Sequence, residues 1–158
     1  MEKIININKS LFDFKLLRKE YNNEIDAEVF EFRHNTTDTP LFAVKNDDPN
    51  KTFTVSFKTL PENSNGVAHV LEHTVLSGSR KFQLKDVFNE ISKGGLTTFL
   101  NAMTGPDTTF YPFSTRNEKE YFNIMDVYMD TIFHPKLEEF AFMQEGWHHE
   151  LEVPDKEI

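Results

Sequence analysis

The spacing of apolar residues changes character several times along this chain, and each change marks an element. Leu11, Phe14, Leu16, Leu17 and Tyr21 recur at a spacing that suits a short helix or an irregular arm over residues 11–21. From Ile25 the pattern tightens, and Ile25, Ala27, Val29, Phe30 and Phe32 predict a strand. Pro40-Leu41-Phe42-Ala43-Val44 predicts a second, closed by the turn-forming run Asn46-Asp47-Asp48-Pro49-Asn50. Over residues 52–60, Phe53, Val55 and Phe57 fall on one face and Thr52, Thr54, Ser56 and Lys58 on the other, the signature of a half-buried antiparallel strand.

The period then lengthens. After the break Pro61-Glu62-Asn63-Ser64-Asn65-Gly66, a helix is predicted over residues 66–77, and a second over 86–93 with Gly94-Gly95 as its stop. Residues 96–103 and 108–113 read as two strands joined at Gly105-Pro106-Asp107. Thr115 and Glu118 have the spacing of a capping box. The helix they open carries Tyr121, Phe122, Met125, Tyr128, Met129, Ile132 and Phe133 at helical spacing until Pro135 ends it. A last helix is expected around Leu137, Phe140, Ala141 and Trp147. Strands followed by helices without strict alternation predict an α+β fold, an antiparallel-rich sheet with helices packed on one side.

Composition narrows the function classes. A chain of 158 residues with 38% hydrophobic and 13% aromatic residues can bury one ordinary core. Seventeen basic residues against 26 acidic ones give a net charge of −9, which argues against a nucleic-acid partner. Cysteine is absent, so disulfides, thiolate metal sites and thiol nucleophiles are excluded. No apolar run reaches the length of a membrane span, and no membrane partner is expected. The start Met1-Glu2-Lys3-Ile4-Ile5-Asn6 resembles neither a secretory signal nor a transit peptide. The expectation is a cytoplasmic protein of bacterial type, with a mature organellar matrix protein as the alternative.

The chemistry concentrates in His69-Val70-Leu71-Glu72-His73. At about 100° per residue, His73 lies about 40° from His69 and Glu72 about 60° to the other side, so all three share a helix face. Val67, Ala68, Val70, Leu71 and Val75 lie opposite, as a core-facing surface. Two imidazoles one turn apart can bind one Zn²⁺, and the neighbouring carboxylate can take a proton from the water that the metal activates. This H-x-x-E-H order is that of the inverzincins. His34 at a strand end and His134 at a helix C-terminus need no such role. Glu145, His148 and His149 read as an ordinary polar helix face rather than a second metal site.

The flanks carry a family resemblance. Gly66-Val67-Ala68-His69-Val70-Leu71-Glu72-His73-Thr74-Val75-Leu76-Ser77-Gly78-Ser79 resembles the active-site helix of presequence proteases, the peptide-degrading branch of the pitrilysin/insulysin-type inverzincins. The likeness continues through residues 98–104, 107–114, 117–119 and 125–130 and ends at Gln144-Glu145-Gly146-Trp147. It implies a zinc metallopeptidase built as a two-halved clamshell that degrades unstructured peptides such as cleaved targeting sequences. By the same resemblance, His69 and His73 are zinc ligands, Glu72 is the general base and Glu145 an acid behind the ligands. The resemblance also implies that Asn101 and Ala102 lie on a strand whose backbone pairs with extended substrate.

One departure bears on activity. The resemblance implies a third ligand in a later block similar to Asn-Glu-Met-Lys-Gly, which this sequence does not contain. Residues 1–158 are therefore expected to be the N-terminal part of one catalytic domain, inactive alone, whose partner is the missing second half of the same enzyme. Within them, 1–24 would be an arm and 25–158 the strands and helices around the His-x-x-Glu-His helix. Glu150 is the alternative third ligand, on its spacing from His73. The rival to the enzyme reading is a non-catalytic module of the same fold that binds peptides or a partner.

Overall fold

The computed structural model describes residues 10, 11 and 13–147, with side chains from Asp13 onward. Two compact units divide the chain between Asp48 and Pro49.

The first unit is a four-stranded antiparallel sheet in the order β1 (Ser10–Leu11), β2 (Phe14–Asn22), β3 (Ala27–His34) and β4 (Pro40–Lys45). The stretch read as a short helix or an arm is thus mostly strand β2. Its pairing with β3 explains why. Across the two strands Lys19 meets Glu28, and Arg18 sits 3.5 Å from Glu31, so the charges that break an apolar pattern form a cross-strand ladder. A register shift between Leu16 and Arg18 also offsets the strand's alternation, which blurs its period in the sequence. The β2–β3 turn is fixed by the Asn22 side chain, which accepts from the amides of Glu24 and Ile25. Leu16, Phe30 and Phe32 form the buried cluster, with Phe14 packed against it.

The second unit holds a second antiparallel sheet, in which β8 (Thr108–Thr115) is central. It pairs with β5 (Lys51–Lys58) on one side and with β6 (Thr97–Leu100) and β7 (Met103–Thr104) on the other. Four helices complete it: α1 (Val67–Val75), α2 (Val87–Gly94), α3 (Glu118–Phe133) and α4 (Glu139–Glu145). The fold is therefore α+β, as expected, but with two sheets where one was read. The registers Phe53↔Phe113 and Val55↔Tyr111 put four apolar side chains on one sheet face. There Tyr111 and Phe113 pack with Val75 and Leu76 from the end of α1 and with Ile124 and Tyr128 of α3.

Several boundaries moved. The strand expected over residues 96–103 breaks at Asn101 and Ala102, which lie between β6 and β7. Helix α3 is capped by Asn117, whose side chain accepts from the Glu120 amide, and not by Thr115. Thr115 instead donates to Glu120 Oε2 (2.6 Å) and accepts from the Asn117 amide, behind the cap. The last helix excludes Leu137 and Trp147. His34 ends β3 and His134 is the C-cap of α3, the places expected for them.

The loop after α1 is pinned to α3. Buried Asp130 accepts from Ser79 Oγ (2.6 Å) and from the Lys81 amide (2.8 Å), and Arg80 stands 3.8 Å away. The Ser79 hydrogen bond, with the Lys81 amide and Arg80 adding to it, holds the Asp130 carboxyl below its usual range. Gly78 allows the loop its path, because at φ +111° a Cβ would stand 2.7 Å from the Leu84 carbonyl oxygen.

Candidate metal centre

The site is built on α1. Gly66, left-handed at φ 68°, precedes the helix and lets the chain enter it directly from the Asn63–Asn65 turn. His69, Glu72 and His73 offer ligand atoms that all lie within 4.8 Å of one another, the shared face that their spacing predicts. The two imidazole rings stand edge to face with centroids 4.9 Å apart. Both histidines are exposed, whereas Glu72 is 5% exposed. That contrast matters, since a carboxylate held out of water needs partners on the protein.

Glu72 finds its partner on β7. Its Oε2 accepts a hydrogen bond from Thr104 Oγ1 at 2.6 Å. Tyr111, on the central strand, feels the same carboxylate: burial first and the Glu72 charge second push its phenol up to about 12. Tyr111 therefore stays neutral at physiological pH.

Glu145, at the end of α4, approaches from the other side. Its Oε2 accepts from His73 Nδ1 at 3.0 Å, which leaves Nε2 as the ring nitrogen open to a ligand. A carboxylate behind an imidazole is the arrangement that orients metal-bound histidines. Glu150 lies outside the described residues, as do His148 and His149.

Asn101 and Ala102 occupy the gap between β6 and β7. The Asn101 amide donates to the Pro112 carbonyl (3.1 Å), and the Ala102 amide is taken by the Asn101 side chain (3.0 Å). Tyr128 Oη reaches the Asn101 carbonyl at 3.4 Å. The strand expected here is thus interrupted at the residues proposed to meet substrate, while among the described residues β6 and β7 have β8 as their one strand neighbour. A cavity of about 520 Å³ adjoins the site, lined among others by Glu72, His73, Phe88, Asn101, Ala102 and Phe140.

The apolar side of α1 differs from its sequence reading. Val75 is buried, but Val67 and Leu71 are 66% and 45% exposed. With Val70, Leu137 and Phe142 they line a groove beside α4 rather than filling a core. Sequence reasoning also missed Thr104 and Thr109, because neither lies near the motif in the chain and threonine in a strand is unremarked.

Residues 59–157 match the family described as insulinase, peptidase family M16. Among curated proteins, the chain is 50% identical over 147 residues to Protein HypA of Clostridium perfringens, covering 92% of this chain and 15% of that protein. It is 45% identical to presequence protease 1, chloroplastic/mitochondrial, of Arabidopsis thaliana, over 92% of this chain and 14% of the relative. For the mitochondrial presequence protease of Drosophila melanogaster the identity is 41%, over 88% and 13%. The chain thus spans about one seventh of the length of the curated relatives it matches. The crystal structure of pitrilysin superimposes with a TM-score of 0.70 at 20% identity, over 84% of this chain and 15% of that one, a likeness of fold. No helix among the described residues is long and apolar enough to cross a membrane. A family match over most of the chain, joined to the His-x-x-Glu-His cluster on α1, shows that the chain belongs to the insulinase family of metallopeptidases, M16.

Proposed function

We propose that these residues supply the metal-binding and proton-transfer groups of a zinc-dependent peptidase that cleaves extended, unstructured peptides. The observation that carries this reading is one helix face holding two exposed imidazoles and a buried carboxylate, all within 4.8 Å. The donor set fits zinc. Imidazole nitrogen is a preferred ligand of Zn²⁺, and the carboxylate behind His73 fixes which ring nitrogen is offered. Bound zinc supplies Lewis acidity toward a peptide carbonyl and toward water.

The residues divide the remaining work. His69 and His73 hold the metal, and Glu145 orients the His73 ring by accepting from Nδ1. Glu72 accepts a proton from the attacking water and delivers it to the leaving amine, the general base and then general acid of the reaction. The outer edge of β6 and β7, the strands that flank Asn101 and Ala102, receives substrate as an added strand, which selects extension rather than sequence. The cavity beside it accepts a substrate side chain against Phe88 and Phe140. Two histidines fall one short of the three protein ligands usual at catalytic zinc. The third is assigned outside the described residues, to Glu150 or to a glutamate contributed by sequence beyond these 158 residues.

Cleaved targeting peptides are the proposed substrates, in a bacterial-type cytosol or an organellar matrix. An exposure of only 5% for Glu72, with a dedicated hydroxyl donor, favours this over a module that only binds, which gains nothing from a desolvated carboxylate. Glu72→Gln in the intact protein tests it. Zinc content should be unchanged while turnover of an unstructured peptide falls by about 10²- to 10⁴-fold. Undiminished turnover would remove Glu72 from the mechanism.

A further inference from the structure

Glu72 is the end of a line of three threonine hydroxyls. Thr104 Oγ1 lies 2.6 Å from Glu72 Oε2, Thr109 Oγ1 lies 3.2 Å from Thr104 Oγ1, and Thr59 Oγ1 lies 2.9 Å from Thr109 Oγ1. Each hydroxyl has one proton to give. An ionised carboxylate can only accept, so the Thr104 proton is committed to Glu72. Thr109 must then donate to Thr104, and Thr59 to Thr109. The direction of the whole line follows from its last member.

The sheet explains how three residues distant in sequence meet. Thr104 and Thr109 are directly opposite each other in the β7–β8 ladder, closed by the hydrogen bond from the Gly105 amide to the Thr108 carbonyl (2.8 Å). Phe57 opposes Thr109 in the β5–β8 ladder, and Thr59, two residues on, is held to the same strand end by its amide bond to Asp107. Thr109 is 3% exposed, so water does not compete for its hydroxyl. Two strand positions and a strand-end residue thus place their hydroxyls in series toward α1.

We infer that Thr104, Thr109 and Thr59 form a one-way hydrogen-bond chain that positions the Glu72 carboxylate, engaging Oε2 and leaving Oε1 as the oxygen that takes the proton. Among the described residues Oε2 accepts from Thr104 and Oε1 accepts from none. A carboxylate tethered through one oxygen keeps a single orientation, which proton transfer over hydrogen-bond distance requires. Thr104 is a positioning residue: it acts through Glu72 and touches no reacting atom. This inference rests on the reading of Glu72 as the base.

Thr104→Val, which keeps shape and removes the hydroxyl, tests it in the intact protein. By analogy with groups that orient active-site residues from behind, kcat should fall by about 10- to 100-fold. KM and zinc affinity should stay within about twofold, because the substitution changes a side chain and leaves the backbone of the substrate edge and the imidazoles as they are. Thr104→Ser should restore kcat to within about threefold, since the donor returns. Thr109→Val, further from the carboxylate, should give a smaller fall in the same direction, and serves if Thr104→Val does not fold. A wild-type kcat in both valine variants overturns the chain, as does a parallel loss of zinc affinity and kcat that serine fails to rescue. A crystal structure of Thr104→Val supplies a readout independent of turnover. The Glu72 carboxylate should rotate or occupy more than one orientation, and an unchanged orientation also overturns the inference. If the wild-type protein cleaves no peptide, the peptidase reading fails while the carboxylate orientation still decides the role of Thr104.

Discussion

The two sheets of this chain have the same number of strands and the same antiparallel pairing, yet only the second belongs to the unit that holds the His69, Glu72 and His73 cluster. The first buries Leu16, Phe30 and Phe32 and keeps β4 exposed along its whole length. In the second, six buried residues from a strand and two helices form one cluster, and Thr109, Ser114 and Thr115 of β8 are buried beside them. A sheet covered by helices can hold polar groups away from water, and each such group then needs an assigned partner. The described residues leave no buried side-chain nitrogen or oxygen without one. Desolvation and satisfied polarity together are what let a carboxylate such as Glu72 be held in one place.

Truncating the central cluster should break the comparison most severely. Phe113 is fully buried between Phe53, Tyr121 and Tyr128, so Phe113→Ala should cost about 3–5 kcal/mol of stability and abolish zinc binding with it. Phe32→Ala in the first sheet, in contrast, should destabilise the protein while zinc binding at His69 and His73 survives. Denaturant melts paired with zinc titrations separate the two outcomes. A loss of zinc binding in Phe32→Ala at temperatures where the protein remains folded would contradict the division of labour.

Next in size is Glu145→Gln. An amide can still accept from His73 Nδ1 but no longer offers a charge, so zinc affinity should drop by about 10- to 100-fold, as read by competition with a chelator.

Asp130→Asn probes the loop that follows the metal helix. The folded carboxyl is depressed, so its contribution to stability is present above the unfolded-state value of about 3.9 and is lost as pH falls through the lower folded value. The variant should melt at a lower temperature than wild type at pH 7, and the gap should close progressively below about pH 4. A gap that persists at the lowest pH would mean that the loop is held by something other than this charge. Smallest of all, Phe42→Ser on the exposed strand β4 should change stability by no more than about 0.5 kcal/mol.

What the sequence revealed follows the range over which the physics acts. The His69, Glu72 and His73 face is a matter of helical period alone, so it was legible without a fold. The alternation of Phe53, Val55 and Phe57 was legible for the same reason. Strand β2 was not, because its pairing with β3 supplies the charge partners that make Lys19 and Arg18 acceptable in a strand. The cap of α3 was misplaced by two residues because Thr115 and Asn117 are both good caps, and the commitment of Thr115 to Glu120 is a tertiary fact. Val67 and Leu71 read as core from their place on the helix face opposite the histidines, whereas in the fold they line a groove beside α4. The threonine chain was invisible, since Thr59, Thr104 and Thr109 become neighbours only through strand register.

The central claim is that a metal sits between His69 and His73 with Glu72 beside it and not bound to it. Anomalous diffraction at the zinc edge, on crystals of the intact protein grown with zinc, tests it most directly. The account predicts one peak about 2.0–2.1 Å from a ring nitrogen of each histidine, at His73 the Nε2, with a further glutamate completing the protein ligands. A peak coordinated by Glu72, or none at the two histidines, would contradict it.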